Sequence, residues 1–360
     1  MLASAILVID DRFPSAAHSE FTYGERHQPT KVPISCVEIL GRSVLERTVS
    51  RLRQAGIQSI AVISGTSFVS SSPGRDLEIA MAVHPDDRWA TAMRKLKEHA
   101  AQGVEEIFVI ELGAYAECDF AEALQFHRVR QNSMTQLQHT RHALDFWIVN
   151  AAPIRASAWA LPFSSDKAPR TCMPYPVNCY VNPLADAHDL RRLAIDAFLA
   201  RCAIKPRGRE VKPGIWMDDG ARPHRSARIV APAYLGRFAR LGRSAVMARF
   251  SNIERNCHVG EGTVIESASI LAYTSVGAGL DVSNALVDGN ALVDLERDLA
   301  VRIEDPGLIR DTTPRPWRVP QFQRERGEPA LDRNEQLAPE YGQHLSRAAL
   351  RLSEVFKGDV

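Results

Sequence analysis

The sequence predicts an α/β domain built on a mixed sheet, followed by a parallel β-helix. Two patterns carry this reading. Short runs rich in Val and Ile recur at Ala5 to Ile9, Ile60 to Ile63 and Ile107 to Ile110, with helical patterns between them. Apolar runs of that length suit strands buried on both faces of a sheet. From Ile229 onward a period of six residues takes over, which is neither the 3.6 of a helix nor the 2 of a flat strand.

In the first unit, residues 1–205, the opening run lies almost against the N-terminus and two aspartates follow it. A secretory leader needs a basic start and a small-residue cleavage site, so the run is expected to be a first strand. The helix after it is well marked. Ser43 and Glu46 stand at capping-box spacing, Val44, Leu45, Val49 and Leu52 share a face, and Gly56 is placed to end it. Further helices are expected at about 89–101 and 120–129.

A junction at 206–222 leads to the repeat, expected over 223–298. Ile229, Leu235, Leu241, Met247, Ile253, Val259 and Ile265 fall on consecutive six-residue steps. Two positions before each lies a small residue: Ala227, Ala233, Ala239, Ala245, Ser251, Cys257 and Thr263. Gly236, Gly242, Gly260 and later Gly277 directly follow an aliphatic position. The register slips by one near Ile270 and resumes through Val276 and Val282. The pattern fits three short strands per coil, aliphatic side chains inside and small residues where the chain turns. Residues 299–360 read as a Pro- and Arg-rich surface segment, then a helix after Pro339 with Leu345, Ala349, Leu352 and Phe356 on one face.

Composition bounds the function. Lys and Arg number 44 against 43 Asp and Glu, so no net field draws nucleic acid or an anionic membrane. With 45% hydrophobic and 24% charged residues the chain is expected to be globular, and no apolar stretch is long enough to span a bilayer. Six cysteines without C-x-x-C spacing read as reduced thiols of a cytoplasmic protein.

Residues 34–65, ISCVEILGRSVLERTVSRLRQAGIQSIAVISG, and 107–135, ending DFAEALQFHRVRQNSMT, together with the approach to the repeat, KPRGREVKPGIWMDDGARPHRSARIVAPAYLG, resemble sugar-1-phosphate nucleotidyltransferases. The resemblance covers about residues 1–295. It implies a Rossmann-like nucleotidyltransferase domain followed by a left-handed hexapeptide β-helix. It also implies a reaction in which a sugar phosphate attacks the α-phosphorus of a nucleoside triphosphate and releases pyrophosphate. Such chemistry rests on positioning and charge neutralisation. The family supplies these with a GxGTR loop, a lysine in a P-K-P segment, and an aspartate in a G-D pair that holds magnesium.

All three signatures are altered here. The first loop glycine falls on Asp10, beside Asp11, with Arg12 as the loop cation. The lysine position falls on Ile34, and Lys31 lies three residues earlier. Leu112-Gly113, after Glu111, replaces the G-D pair. If the chain is active, the resemblance implies Arg12 and Lys31 as catalytic cations, Asp10, Asp11, Glu111 and Gly113 around nucleotide and sugar, and Glu111 or Asp119 as magnesium ligand. Asp86-Asp87 and Asp218-Asp219 read as turns, and His127 as a packed histidine.

The leading expectation is therefore a diverged, catalytically impaired relative. It would bind a nucleotide sugar or nucleoside triphosphate, or act as regulatory partner of an active paralogue in cell-surface polysaccharide synthesis. If inactive, it would need no cofactor. The alternative is an active pyrophosphorylase with an unconventional phosphate loop. A third is a hexapeptide acyltransferase, with His258 or His224 as base. A homo-oligomer is expected, because an open coil end needs a cover.

Overall fold

The computed structural model describes residues 2–9, 32–65, 77–82, 87–140, 142–156 and 172–313. The C-terminal segment and helix expected beyond residue 313 lie outside these residues, as do Asp10, Asp11, Arg12, Lys31 and Asp86.

The first apolar run is β1 (Ala3–Ile9), and Ala5 to Ile9 are wholly buried. A short hairpin follows, β2 (Glu38–Ile39) and β3 (Arg42–Ser43), and leads into α1 (Val44–Gln54). The capping box forms as expected: the Ser43 hydroxyl accepts from the Glu46 N–H, and Glu46 accepts from the Ser43 N–H. Next come β4 (Ser59–Ser64), β5 (Leu77–Met81), α2 (Arg88–Ala101), β6 (Glu106–Leu112), β7 (Tyr115–Ala116) and α3 (Phe120–Val129). The domain continues with β8 (Met134–His139), β9 (His142–Asn150), α4 (Ala151–Arg155), β10 (Met173–Val177), β11 (Val181–Asn182) and α5 (Ala187–Phe198).

The main sheet runs β10-β8-β9-β6-β1-β4-β5. Strands β6, β1, β4 and β5 are parallel, and β9 runs antiparallel to both β6 and β8. Helices α1 and α3 pack on one face with Leu7, Phe108 and Ile110. Helices α2 and α4 pack on the other with Val8, Val109 and Trp147. Both faces of the central strands are covered, which is why they are apolar at every position.

The C-terminal strands visit three sheets in rotation. The first carries β13 (Ile215–Met217), β16 (Ala233–Leu235), β19 (Ser251–Ile253), β22 (Ser269–Ile270) and β25 (Ala285–Asp288). The second carries β14 (Arg222–Pro223), β17 (Arg240–Leu241), β20 (His258–Val259) and β23 (Thr274–Val276). The third carries β15 (Arg228–Ile229), β18 (Val246–Ala248), β21 (Val264–Glu266) and β24 (Asp281–Ser283). Rung-to-rung pairing is parallel throughout, the layout of a β-helix. Its first rung begins at Ile215, inside the segment read as a junction.

The hexad positions stack as their spacing requires. Leu235 pairs with Ile253, Leu241 with Val259, and Met247 with Ile265. Ala233, Ala239, Ala245, Ser251, Cys257 and Thr263 are all buried. A Cβ on Gly242 would come within 2.7 Å of the Gly260 backbone in the next coil, so adjacent coils touch there. The slip near Ile270 is real, and a second occurs at Val287, which pairs with Ile270. Both fall at the corner from third sheet to first. The lower coil turns that corner through two left-handed residues, Arg249 and Phe250, whereas the upper coils use one, Ser267 or Asn284.

The chain covers part of its own coil ends. Strand β12 (Arg209–Lys212) lies antiparallel on β13 at one edge. At the other, β26 (Ala291–Asp294) and β27 (Leu299–Arg302) continue the first sheet antiparallel, and β28 (Ile309–Asp311) closes on β23. A third core, joining Ile39, Leu40, Val44 and Leu190 to Tyr234, Leu271 and Leu286, lies between domain and β-helix.

Candidate functional site

The order of the sheet points to one edge of the domain. From β1 the chain reaches β4 on one side through α1, and later enters β6 on the other side through α2. Strands β1 and β6 are parallel neighbours whose carboxyl ends lie side by side, and open α/β sheets bind ligands beyond the carboxyl ends of their strands. The register sets Val8 opposite Glu111 and Ile9 opposite Leu112. The loop after β1, with Asp10, Asp11 and Arg12, starts from this point and lies outside the described residues.

Of the expected residues, Glu111, Gly113 and Asp119 can be placed. Glu111 ends β6 and is 9% exposed. Its neighbours Ile110 and Leu112 face the α1 and α3 layer, so by strand alternation Glu111 faces the α2 layer. Gly113 follows the strand, its N–H donating to the Glu111 carbonyl. Asp119 is the N-cap of α3, where Oδ1 accepts from the N–H groups of Ala121 and Glu122 at 2.9 and 3.0 Å. Glu111 thus lies on the α2 side of β6, whereas Asp119 caps α3, which packs on the other face of the sheet. The next register step after Ile110–Phe146 instead sets Asp145, exposed and on the α2 side, beside Glu111.

Folding adds a cation that sequence reasoning passed over. Arg88, the first residue of α2, donates from Nη1 to the carbonyl of Ile9 at 2.5 Å, at the very end of β1. Beside it Trp89 meets Trp147 edge to face, ring centroids 6.4 Å apart. The available signal was the position of Arg88 at the N-terminus of an expected helix leading into the third run. Nothing local said that this end reaches β1.

A second cluster lies between domain and β-helix. Glu254, fully buried, accepts from the N–H of Leu40 at 2.7 Å, of Gly41 at 3.0 Å, and from Asn252 Nδ2 at 2.8 Å. Leu40 and Gly41 are both left-handed, which aims successive N–H groups at one anion. Around it Arg255 pairs with Glu38 at 3.0 Å and Arg207 with Asp218 at 3.5 Å. Burial pushes the Glu254 carboxyl up to about 8, against the pull of those hydrogen bonds. Perturbed carboxyls often mark active sites, but here the protein's own backbone fills the space, so the cluster is a clasp. Asp218, read as a turn residue, also anchors this clasp.

The histidines part in the same way. His127 is buried, its Nδ1 is 2.8 Å from Thr135 Oγ1, and desolvation pulls its pKa down to about 4. It packs, as expected. His258 is exposed on β20. Burial, then Arg240 and Arg310, lower its pKa. His224 Nδ1 meets Ser226 Oγ at 2.8 Å within a turn.

No protein-family model matches the sequence, and no curated protein matches it. Among solved structures the fold is similar to the crystal structure of HddC from Yersinia pseudotuberculosis, with a TM-score of 0.41 and 13% identity. That similarity covers 53% of this chain and 97% of HddC. Among the described residues no helix is long and apolar enough to cross a membrane.

Proposed function

We propose that the chain is a diverged sugar-nucleotidyltransferase-like protein that binds a nucleotide sugar or nucleoside triphosphate without turning it over. Its role would be regulatory, beside an active paralogue in nucleotide-sugar or cell-surface polysaccharide metabolism. One observation supports the reading: the adjoining carboxyl ends of β1 and β6 carry a cation, Arg88, held against the Ile9 carbonyl. The order of α/β domain and β-helix, with the resemblance of residues 34–65, supports the choice of ligand class. Arg88 would offer a phosphate its charge at the end of β1, and Trp89 an aromatic edge beside it.

Calorimetric titration with nucleoside triphosphates and nucleotide sugars, with and without magnesium, tests binding. A pyrophosphate-release assay with sugar 1-phosphates tests turnover. Binding without pyrophosphate release is expected. Arg88→Ala should weaken it by about tenfold, the equivalent of ~1.4 kcal/mol and the scale of one hydrogen bond to a charged group. Magnesium-dependent release from the wild-type chain would overturn this reading in favour of an active pyrophosphorylase using Arg12, Lys31 and Glu111.

A further inference from the structure

Among the six cysteines, folding brings Cys118 and Cys179 together from 61 positions apart in the chain, Sγ to Sγ at 3.5 Å. The placement follows from a two-stranded ribbon. Strands β7 and β11 are antiparallel, with Ala116 opposite Val181 and Tyr115 opposite Asn182. The ribbon continues one step as the Glu117 N–H donates to the Tyr180 carbonyl at 3.0 Å. A further step sets Cys118 opposite Cys179. Facing residues of an antiparallel pair have Cα atoms about 4.5–5.5 Å apart, and a disulfide spans about 4.4–6.8 Å. The backbone is thus already at bonding distance, and side-chain rotation alone closes the remaining gap.

We propose that Cys118 and Cys179 form a redox modification site, a dithiol that a small-molecule disulfide such as oxidised glutathione converts reversibly to an intramolecular disulfide. The two thiols are unequal in a way that orders the steps. Cys118 is buried, and Cys179 is half-buried. The hydrogen bond between them holds the Cys179 thiol down, while Cys118 is pushed up by that same bond and by burial. Cys179, as thiolate, attacks one sulfur of oxidised glutathione, breaking its S–S bond and releasing one glutathione thiolate. That thiolate takes the Cys118 proton. Cys118 then attacks Sγ of Cys179 and expels the second glutathione. Two protein thiols are oxidised, and one glutathione disulfide is reduced to two thiols.

Partial exposure does not single this pair out. Cys36, Cys172 and Cys202 are also half-buried, and burial raises Cys172 and Cys202 to about 11; what sets Cys118 and Cys179 apart is the short distance between their sulfurs. The new bond would rivet a busy edge of the domain. Glu117, next to Cys118, accepts from Tyr115 Oη and the Ala203 N–H and pairs with Arg51. Tyr180, next to Cys179, donates to Asp196 on α5. The site stands whether or not the chain binds nucleotide.

The test uses the full chain incubated with oxidised glutathione, acid-quenched, alkylated and mapped as non-reduced peptides by mass spectrometry. Alkylatable thiols should fall by two from the six in the sequence, with one cross-linked peptide joining Cys118 to Cys179 and its loss on adding dithiothreitol. Closing a loop of this length should raise the melting temperature by several degrees, roughly 5–10 °C. Cys118→Ser should stop at a glutathione adduct on Cys179. Cys179→Ser, a change at a half-buried position, should give no cross-link from a chain whose circular dichroism is unchanged. Six alkylatable thiols after oxidation, a lasting glutathione adduct in the wild type, or a cross-link through another cysteine would each overturn the proposal.

Discussion

Glu254 links the two units through single atoms, and its titration can be followed. In the folded chain burial raises its carboxyl from an ordinary 4.5 to about 8. The folded state therefore holds the proton more tightly across that window. Its contribution to stability is full below pH 4.5, falls as pH rises toward 8, and is level beyond, with a slope of about 1 kcal/mol per pH unit. Glu254→Gln, neutral at every pH, should flatten that part of the stability profile, as urea unfolding between pH 5 and 9 would record. Gly41 permits a second comparison. It is left-handed like Gly103, but a Cβ there would strike the Tyr234 hydroxyl and Arg207, whereas at Gly103 it would meet open space. Gly103→Ala should cost about 1 kcal/mol from backbone strain alone, and Gly41→Ala about 2–3 kcal/mol, since the clasp must also shift. Equal losses in the two variants would place the clasp's tolerance higher than its packing suggests.

At the scale of the element, the six-residue repeat has a mechanical meaning. The small position lies inside a corner, and Ala239 there is wholly buried against its neighbouring coils. Ala239→Phe should destabilise the β-helix by roughly 1–3 kcal/mol through overpacking, read from a shifted denaturation midpoint with the slope unchanged. Leu280 is a large residue at the same position and is still buried. It belongs to the last rung of the third sheet, where no further strand stacks. The rule of small residues is thus a rule about having a coil above. The same reasoning explains the register slips, where a corner with one left-handed residue replaces a corner with two.

Across the whole molecule, a shared core makes domain and β-helix one folding problem. Arg191 on α5 is buried, and its Nη1 donates to the Phe250 carbonyl in a corner of the coil at 2.9 Å. Desolvation brings its pKa down to about 10, so the contact holds a charge that costs free energy to bury. Arg191→Ala would strand that carbonyl and open a gap at the junction, a loss of about 2–4 kcal/mol. Scanning calorimetry should show one transition for the wild-type chain and a broadened or split one for the variant. Strand β12 covers one end of the first sheet, and β26 to β28 cover the other ends of the first and second sheets.

Much of this architecture was legible because its signals are local. The capping box around α1, the buried runs of β1, β4 and β6, and the hexad with its first slip each lie within a few neighbouring residues. In each case one spacing or one amphipathic face dictates the backbone. The site was legible only in part. Glu111 could be assigned to a strand end and Asp119 to the start of a helix. That they face opposite layers depends on the phase of β6 and on where α3 docks, and neither is written in their vicinity. Arg88 at the end of β1, Glu254 in the backbone of Leu40 and Gly41, and the sulfurs of Cys118 and Cys179 all join positions distant in the chain. Local backbone preference determined the elements, whereas burial shared between distant segments decided which side chains meet.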